Sequence, residues 1–195
     1  HWGIAQGECM TGSVGFISPK QDELFLSWSD YIAEHMPADV FYRDPEITAT
    51  DNPYRIDSKA IEKVSKMLNE SIQTDSSTLT RWFGQMISES KPQLQIDSAE
   101  MNKLGFEECK KLLAVSGFYR HPYLRMFYSN NNAGDLYLFA HGKSYMLPKQ
   151  ATSFVNLLCD KKTYPPDCFA AWGDCIACME CLVSLISNGY LIKDE

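Results

Sequence analysis

The chain is 195 residues long, 45% hydrophobic and 12% aromatic, which is enough for a packed core and for one or two domains. Its formal charge is −7 and neither half is basic: residues 1–96 carry 8 Lys/Arg against 14 Asp/Glu, and residues 97–195 carry 10 against 11, a balance that disfavours a nucleic-acid backbone as ligand. No apolar run approaches the ~20 residues that cross a bilayer, so no membrane span is expected, and no charged-then-apolar leader is visible.

In chain order, Met10-Thr11-Gly12-Ser13-Val14-Gly15-Phe16 comes first. Side chains alternate across a strand, so Met10, Val14 and Phe16 share a dry face while Thr11 and Ser13 share a wet one. Ser18-Pro19-Lys20-Gln21 reads as a helix start, with Ser18 capping, Pro19 in the first turn and Gln21 reaching back. Leu24, Phe25, Trp28, Tyr31 and Ile32 then recur at helical spacing through Met36, and Pro37 stops the run. Residues 37–57 form a connector rich in Pro, Asp and Thr. A second helix is expected from about Ser58 to Ile72, with Ile61, Val64, Leu68 and Ile72 inside. Its other face carries Lys59, Glu62, Lys63, Lys66 and Glu70, with Glu62 and Lys66 as a supporting pair. Asp75-Ser76-Ser77 caps a third helix that runs through Trp82, Phe83, Met86 and Ile87 and stops before Pro92. Gly84 sits inside it at a cost of about 1 kcal/mol against Ala, which close packing of another helix would explain. Together the three helices suggest a small bundle.

The composition changes near Lys91-Pro92, the expected domain boundary. A short helix around Glu107 to Val115 precedes strands at Phe118–Arg120, Leu124–Tyr128, Leu136–Phe139 and Ser144–Leu147, with turns at Asn130–Gly134 and His141-Gly142. Helices over 149–159 and 174–188 and a strand at Tyr190–Ile192 complete a winged-helix-like order. A DNA-reading helix presents Arg, Lys, Asn or Gln to the groove. Residues 149–159 offer Lys149, Gln150 and Asn156, with Lys161 and Lys162 beyond, and 174–188 offers almost nothing basic. DNA binding is therefore disfavoured, and a protein-contacting or packing role is favoured.

Seven cysteines cannot all pair within one chain. Cys175-x-x-Cys178-x-x-Cys181, with Cys168 upstream, has spacing that invites a metal cluster. The same residues fall as a stripe on an apolar helix beside Leu182, Leu185 and Ile186, so reduced thiols packed in a core are expected instead. His35 ends a helix, His121 precedes a proline and His141 lies in a turn, so none stands out as a ligand, and no nucleophile elbow is present.

A larger pattern runs through these pieces. His1-x-Gly3-x-Ala5, Met10-x-x-Ser13-Val14-Gly15-Phe16-x-x-Pro19, Glu23-Leu24, Tyr42-x-Asp44-Pro45, Trp82-Phe83-Gly84-x-x-Ile87-Ser88 and Ser187-Asn188-Gly189-Tyr190 occur in that order across nearly the whole chain. The pattern resembles the bacterial ribosomal oxygenases, JmjC-type hydroxylases of the cupin class that use Fe(II) and 2-oxoglutarate. The resemblance implies an α+β, mainly helical fold. Residues 1–18 would be the last strand of a cupin/JmjC barrel, 19–92 a three-helix dimerisation region and 93–195 a winged-helix-like domain. His1 would be the last of three iron ligands, and Thr11 and Ser13 would contact the 2-oxoglutarate cosubstrate. Thr11 stands where an Asn is usual in the bacterial members, and Ile17 where a basic residue is common. The implied partners are a ribosomal protein, hydroxylated on an arginine in bacterial members, and a second copy of the chain through helices in 19–91, in the cytoplasm.

A natural chain starts with Met, so one starting at His1 is expected to have been cut or taken from a longer one. The family's His-x-Asp pair would then lie upstream. One ligand does not make an iron site, so this chain alone is expected to be inactive. Two other readings stand beside that one. A non-enzymatic dimeric winged-helix interaction module would use the same helices. A secreted copper monooxygenase would use His1 as an amino-terminal brace, but such enzymes are β-sandwiches, and residues 19–91 read as helical.

Overall fold

The protein's structure, a computed structural model, describes residues 7–8, 18–38, 40–43, 52, 54–72, 75–90, 94, 96, 104–130, 134 and 136–194. The strand expected at Met10–Phe16 lies outside the described residues. The chain divides into two units, residues 1–40 and 41–195.

In the first unit, α1 (Gln21–His35) starts two residues later than the sequence suggests. Lys20 holds the N-cap position, and its N–H donates to Glu23 Oε2 at 3.0 Å. The reaching-back partner is thus Glu23 rather than Gln21, because a carboxylate accepts that N–H and is favoured by the helix dipole at this end. Trp28 stacks on Tyr31 and Tyr31 on His35, at centroid separations of 5.8 and 4.2 Å. His35 Nδ1–H donates to the Tyr31 carbonyl at 2.7 Å, which closes the last turn.

The second unit begins with α2 (Ser58–Ile72), where Asp57 Oδ1 accepts from Lys59 N–H at 3.0 Å. Its closed ion pair is Lys66–Glu70 at 3.8 Å, one turn beyond the Glu62–Lys66 pair expected from the sequence. α3 (Ser76–Ser88) is capped by Asp75, whose carboxylate accepts from Ser77 N–H and Thr78 N–H. The remaining elements are α4 (Phe106–Val115), β1 (Phe118–Arg120), β2 (Met126–Asn130), β3 (Leu136–Ala140), β4 (Lys143–Leu147), α5 (Thr152–Asp160), β5 (Thr163–Tyr164), α6 (Ile176–Ser187) and β6 (Leu191–Lys193).

Two three-stranded sheets form, both antiparallel: β5-β1-β6 and β2-β3-β4. β3 is buried at every position, which is why its sequence runs apolar without alternation. Leu136, Leu138 and Ala140 join the main core. The alternate residues Tyr137 and Phe139 project from the opposite face, the one α3 covers. Where the sequence suggests a bundle of three helices, the structure lays α3 on β2, β3 and β4. Gly84 meets the ring of Phe139, so the close approach that its missing side chain permits is to an aromatic ring and not to another helix.

The core beneath β3 is closed by α5 and α6, through Phe154, Val155, Leu158, Leu182, Leu185 and Ile186. α6 ends in a Schellman motif: Tyr190 N–H donates to the Leu185 carbonyl and Gly189 N–H to the Ile186 carbonyl, with Gly189 at φ 70°. The Arg120 side chain donates to the Cys159 carbonyl at 3.1 Å, a cation at the negative end of α5. Tyr164, almost fully buried, donates its hydroxyl to the Leu158 carbonyl at 2.8 Å. Burial pushes that phenol up to about 12.

Candidate functional site

His1, Thr11 and Ser13, the residues assigned by resemblance to metal and cosubstrate, lie outside the described residues. An Fe(II) site of the two-His-one-carboxylate type needs three donors on one face. His1 would offer one imidazole, and among the described residues no group of three His, Cys, Asp or Glu is placed to hold a metal ion. The donors in hand do not by themselves fit the metal.

The cysteine stripe is resolved in detail. Cys109, Cys178 and Cys181 are buried in the core, as helical spacing suggests for the latter two. Burial pushes the Cys109 and Cys159 thiols up to about 11 and raises those of Cys168 and Cys181 as well, so these four are poor nucleophiles. Cys175 differs. Half-buried like Cys159 and Cys168, it holds the N-cap of α6, its Sγ accepts from Cys178 N–H at 3.3 Å, and the two sulfurs are joined in a disulfide. The expectation that all the thiols are reduced is corrected here. A cap residue and the third residue beyond it are on the same side of the first turn, so their sulfurs meet.

A second polar cluster, also missed in the sequence, ties α3 to the β3–β4 turn. Ser88 Oγ donates to the Gln85 carbonyl and accepts from Gly142 N–H at 3.1 Å. Ser90 Oγ donates to the Tyr123 carbonyl at 3.0 Å, so its contact with His141 Nδ1 at 2.9 Å has the histidine N–H as donor. That direction is opposite to the one a serine nucleophile needs, and Ser90 is a structural link. His141 and Gly142, at φ 48° and 77°, make the tight turn expected there.

The exposed cations of this part of the chain, among them Lys110, Lys111, Lys149, Lys161 and Lys162, lie outside α5 and α6. α5 is exposed at Ser153 and Asp160, and α6 at Ile176 and Glu180, so neither presents a row of cations. Large apolar side chains are exposed on α1, at Phe25 and Leu26, at Val40 and Phe41, and on α2. Along α2, Ile61, Val64, Leu68 and Ile72 are 58%, 42%, 59% and 53% exposed. The partly covered positions of α2 are Ala60, Lys63, Met67 and Ser71, a different side from the apolar stripe. Leu79 and Phe83 of α3 are also exposed.

A helix on a β-ribbon over a helical core, entered through a capped helix and closed by a Schellman turn, defines a winged-helix protein. Residues 71–192 match the family described as ROXA-like winged helix, and the chain belongs to that family. It is similar to the ribosomal protein uL16 3-hydroxylase of Escherichia coli (strain K12), with 30% identity over 100 residues, which cover 51% of this chain and 26% of that protein. Among solved structures it resembles YcfD, a ribosomal oxygenase from Escherichia coli, at a TM-score of 0.68 and 21% identity over 93% of this chain and 48% of that one. A structure of YcfD in complex with cobalt and 2-oxoglutarate matches at a TM-score of 0.67, with the same identity and coverage. At that identity the likeness establishes the fold. The chain spans about half the length of the solved structures it matches and about a quarter of the curated relative.

Proposed function

We propose that this chain is the C-terminal part of an Fe(II)- and 2-oxoglutarate-dependent oxygenase that hydroxylates a side chain of a ribosomal protein, an arginine, in the cytoplasm. The observation that carries the reading is the match to the ROXA-like winged helix family over 71–192 together with a fold match over 93% of the chain to a ribosomal oxygenase. In this reading residues 1–18 complete a catalytic barrel, helices in 19–92 form the homodimer and 93–195 make up the winged-helix domain together with α3, which packs on its sheet. His1 supplies one iron ligand, and Thr11 and Ser13 face the cosubstrate. Bound iron would supply the oxidising power for C–H hydroxylation, and the other two ligands would come from residues outside this sequence. The chain alone is then inactive. An acidic protein of charge −7 also suits a basic ribosomal protein electrostatically.

The test is the intact mass and N-terminal sequence of the native gene product. A product heavier than 22.2 kDa, with His1 internal, a His-x-Asp upstream and a ribosomal protein heavier by one oxygen only when the gene is present, is the expected result. A native product of 22.2 kDa overturns it. The exposed stripe of α2 favours a second reading in that event, a dimeric winged-helix interaction module without chemistry of its own.

A further inference from the structure

We propose that Cys175 and Cys178 form a reversible dithiol–disulfide couple that exchanges with low-molecular-weight thiols through the Cys175 sulfur. The two sulfurs are inequivalent. Cys175 is half-buried at the start of α6, whereas Cys178, one turn in, is fully buried in the core. An incoming thiolate therefore has its easier path to the Cys175 sulfur.

The local structure favours the thiolate that such exchange requires. Cys175 holds the N-cap of a 12-residue helix, and its sulfur already accepts a backbone N–H there, from Cys178 at 3.3 Å. Cys-x-x-Cys at a helix N-terminus places the first sulfur at the positive end of the dipole. The charges on the preceding loop offset one another: Asp174 is bonded to Lys110 Nζ at 3.3 Å, and Lys110 Nζ also lies 3.4 Å from the Gly173 carbonyl. Of the other described thiols, Cys109 and Cys181 are buried, and burial raises those of Cys159 and Cys168, neither of which caps a helix. A structural role explains the bond poorly. A disulfide stabilises chiefly by closing a loop in the unfolded chain, and a bridge between residues three apart closes the shortest of loops.

The exchange balances as follows. A small thiolate attacks Cys175 Sγ, the Cys175–Cys178 bond breaks, and Cys178 leaves as a thiolate and takes up a proton. A second small thiolate then attacks the small-molecule sulfur of the mixed disulfide and releases Cys175. The protein disulfide gains two electrons and two protons, and two small thiols become one small disulfide. Reduced Cys175 keeps its hydrogen bond from Cys178 N–H, so α6 remains capped in both states.

The full-length chain is equilibrated, without denaturant, in buffers of graded reduced-to-oxidised glutathione, acid-quenched and alkylated, and the peptide holding both cysteines is read by mass spectrometry. The expected result is a reversible titration of this pair while the other five cysteines stay reduced. Alkylation of all seven in the most oxidising buffer, or reduction of the pair only after unfolding, overturns the proposal. In the reduced native protein, iodoacetamide is expected to modify Cys175 at least about tenfold faster than Cys109, Cys159, Cys168, Cys178 or Cys181, and equal rates overturn it. Cys175→Ser keeps an oxygen at the N-cap and so keeps the fold. In that variant Cys178 is expected to take up no glutathione, whereas in Cys178→Ser a single mixed disulfide collects on Cys175. Uptake at Cys178 in Cys175→Ser sinks the assignment of the accessible sulfur, and that variant decides the point even if Cys178→Ser fails to fold.

Discussion

A methyl group at residue 84 has nowhere to go. A Cβ there would overlap the Phe139 ring, and that ring is 1% exposed, held by β3 on one side and the helix on the other. Ala is the better helix former by about 1 kcal/mol, but overpacking a filled core costs about 1–3 kcal/mol, so the steric effect wins. Gly84→Ala is expected to lower stability by about 1–2 kcal/mol in a denaturant melt. Gly84→Ala with Phe139→Leu should be less damaging than the two separate losses added together, and strict additivity would show that the two residues are not coupled. Asp75 makes a different kind of prediction. The Ser77 hydroxyl, then Thr78 N–H, hold its carboxyl well below the usual carboxylate range. A group whose folded pKa is depressed stabilises above its unfolded pKa of about 3.9 and loses that contribution as pH falls toward the folded value. Thermal melts from neutral pH down to about pH 3 should therefore show a smaller acid-side fall in Asp75→Asn than in the parent chain, since Asn caps without titrating. Identical acid limbs would rule out the cap as a contributor.

Long periodic elements were legible because one period dominates them. The bounds of α2 and the Asp75 cap of α3 follow from apolar spacing and from a run of short polar residues. β3 and the His141-Gly142 turn follow from a continuous apolar run ended by residues that accept positive φ. What escaped was decided by tertiary contact. β5 is two residues long and exists because Thr163 and Tyr164 pair with β1. α3 looks like a bundle helix by pattern alone, since nothing local says whether Trp82 and Gly84 meet a helix or a sheet. The Ser88, Ser90 and His141 links join residues more than fifty apart, and no spacing rule finds them. Helical face alone puts Cys178 and Cys181 in the core, where they lie. The N-cap position of Cys175 brings its sulfur to Cys178, and that depends on where the helix starts, the least legible boundary of all. The proposed iron and cosubstrate residues rest on resemblance alone, because one histidine and two hydroxyls carry no spacing that defines a metal site.

For the molecule as a whole, α1 and α2 both bury none of their side chains, and α2 carries the longer exposed apolar stripe. It is 15 residues long and buries none of its side chains. Helices of ~12–15 residues are marginal in water unless an apolar face is packed. Here Ile61, Val64, Leu68 and Ile72 form that face, and it is the exposed one. A second copy of the same helix offers a matching stripe, and a two-fold interface needs only a self-complementary patch. The proposed homodimer then makes a sharp prediction. In sedimentation equilibrium the chain should behave as twice its 22.2 kDa mass, and Leu68→Lys should bring it to 22.2 kDa. The winged-helix core is remote in sequence from this substitution and Leu68 is already 59% exposed, so near-ultraviolet circular dichroism from the core aromatics should be unchanged. Helical signal in the far ultraviolet should fall slightly, by the contribution of α2, because the helix loses the packing that sustains it. A wild-type chain that is monomeric at every concentration, or a Leu68→Lys dimer as tight as the parent, would remove α2 as the contact and return its apolar face to some other partner.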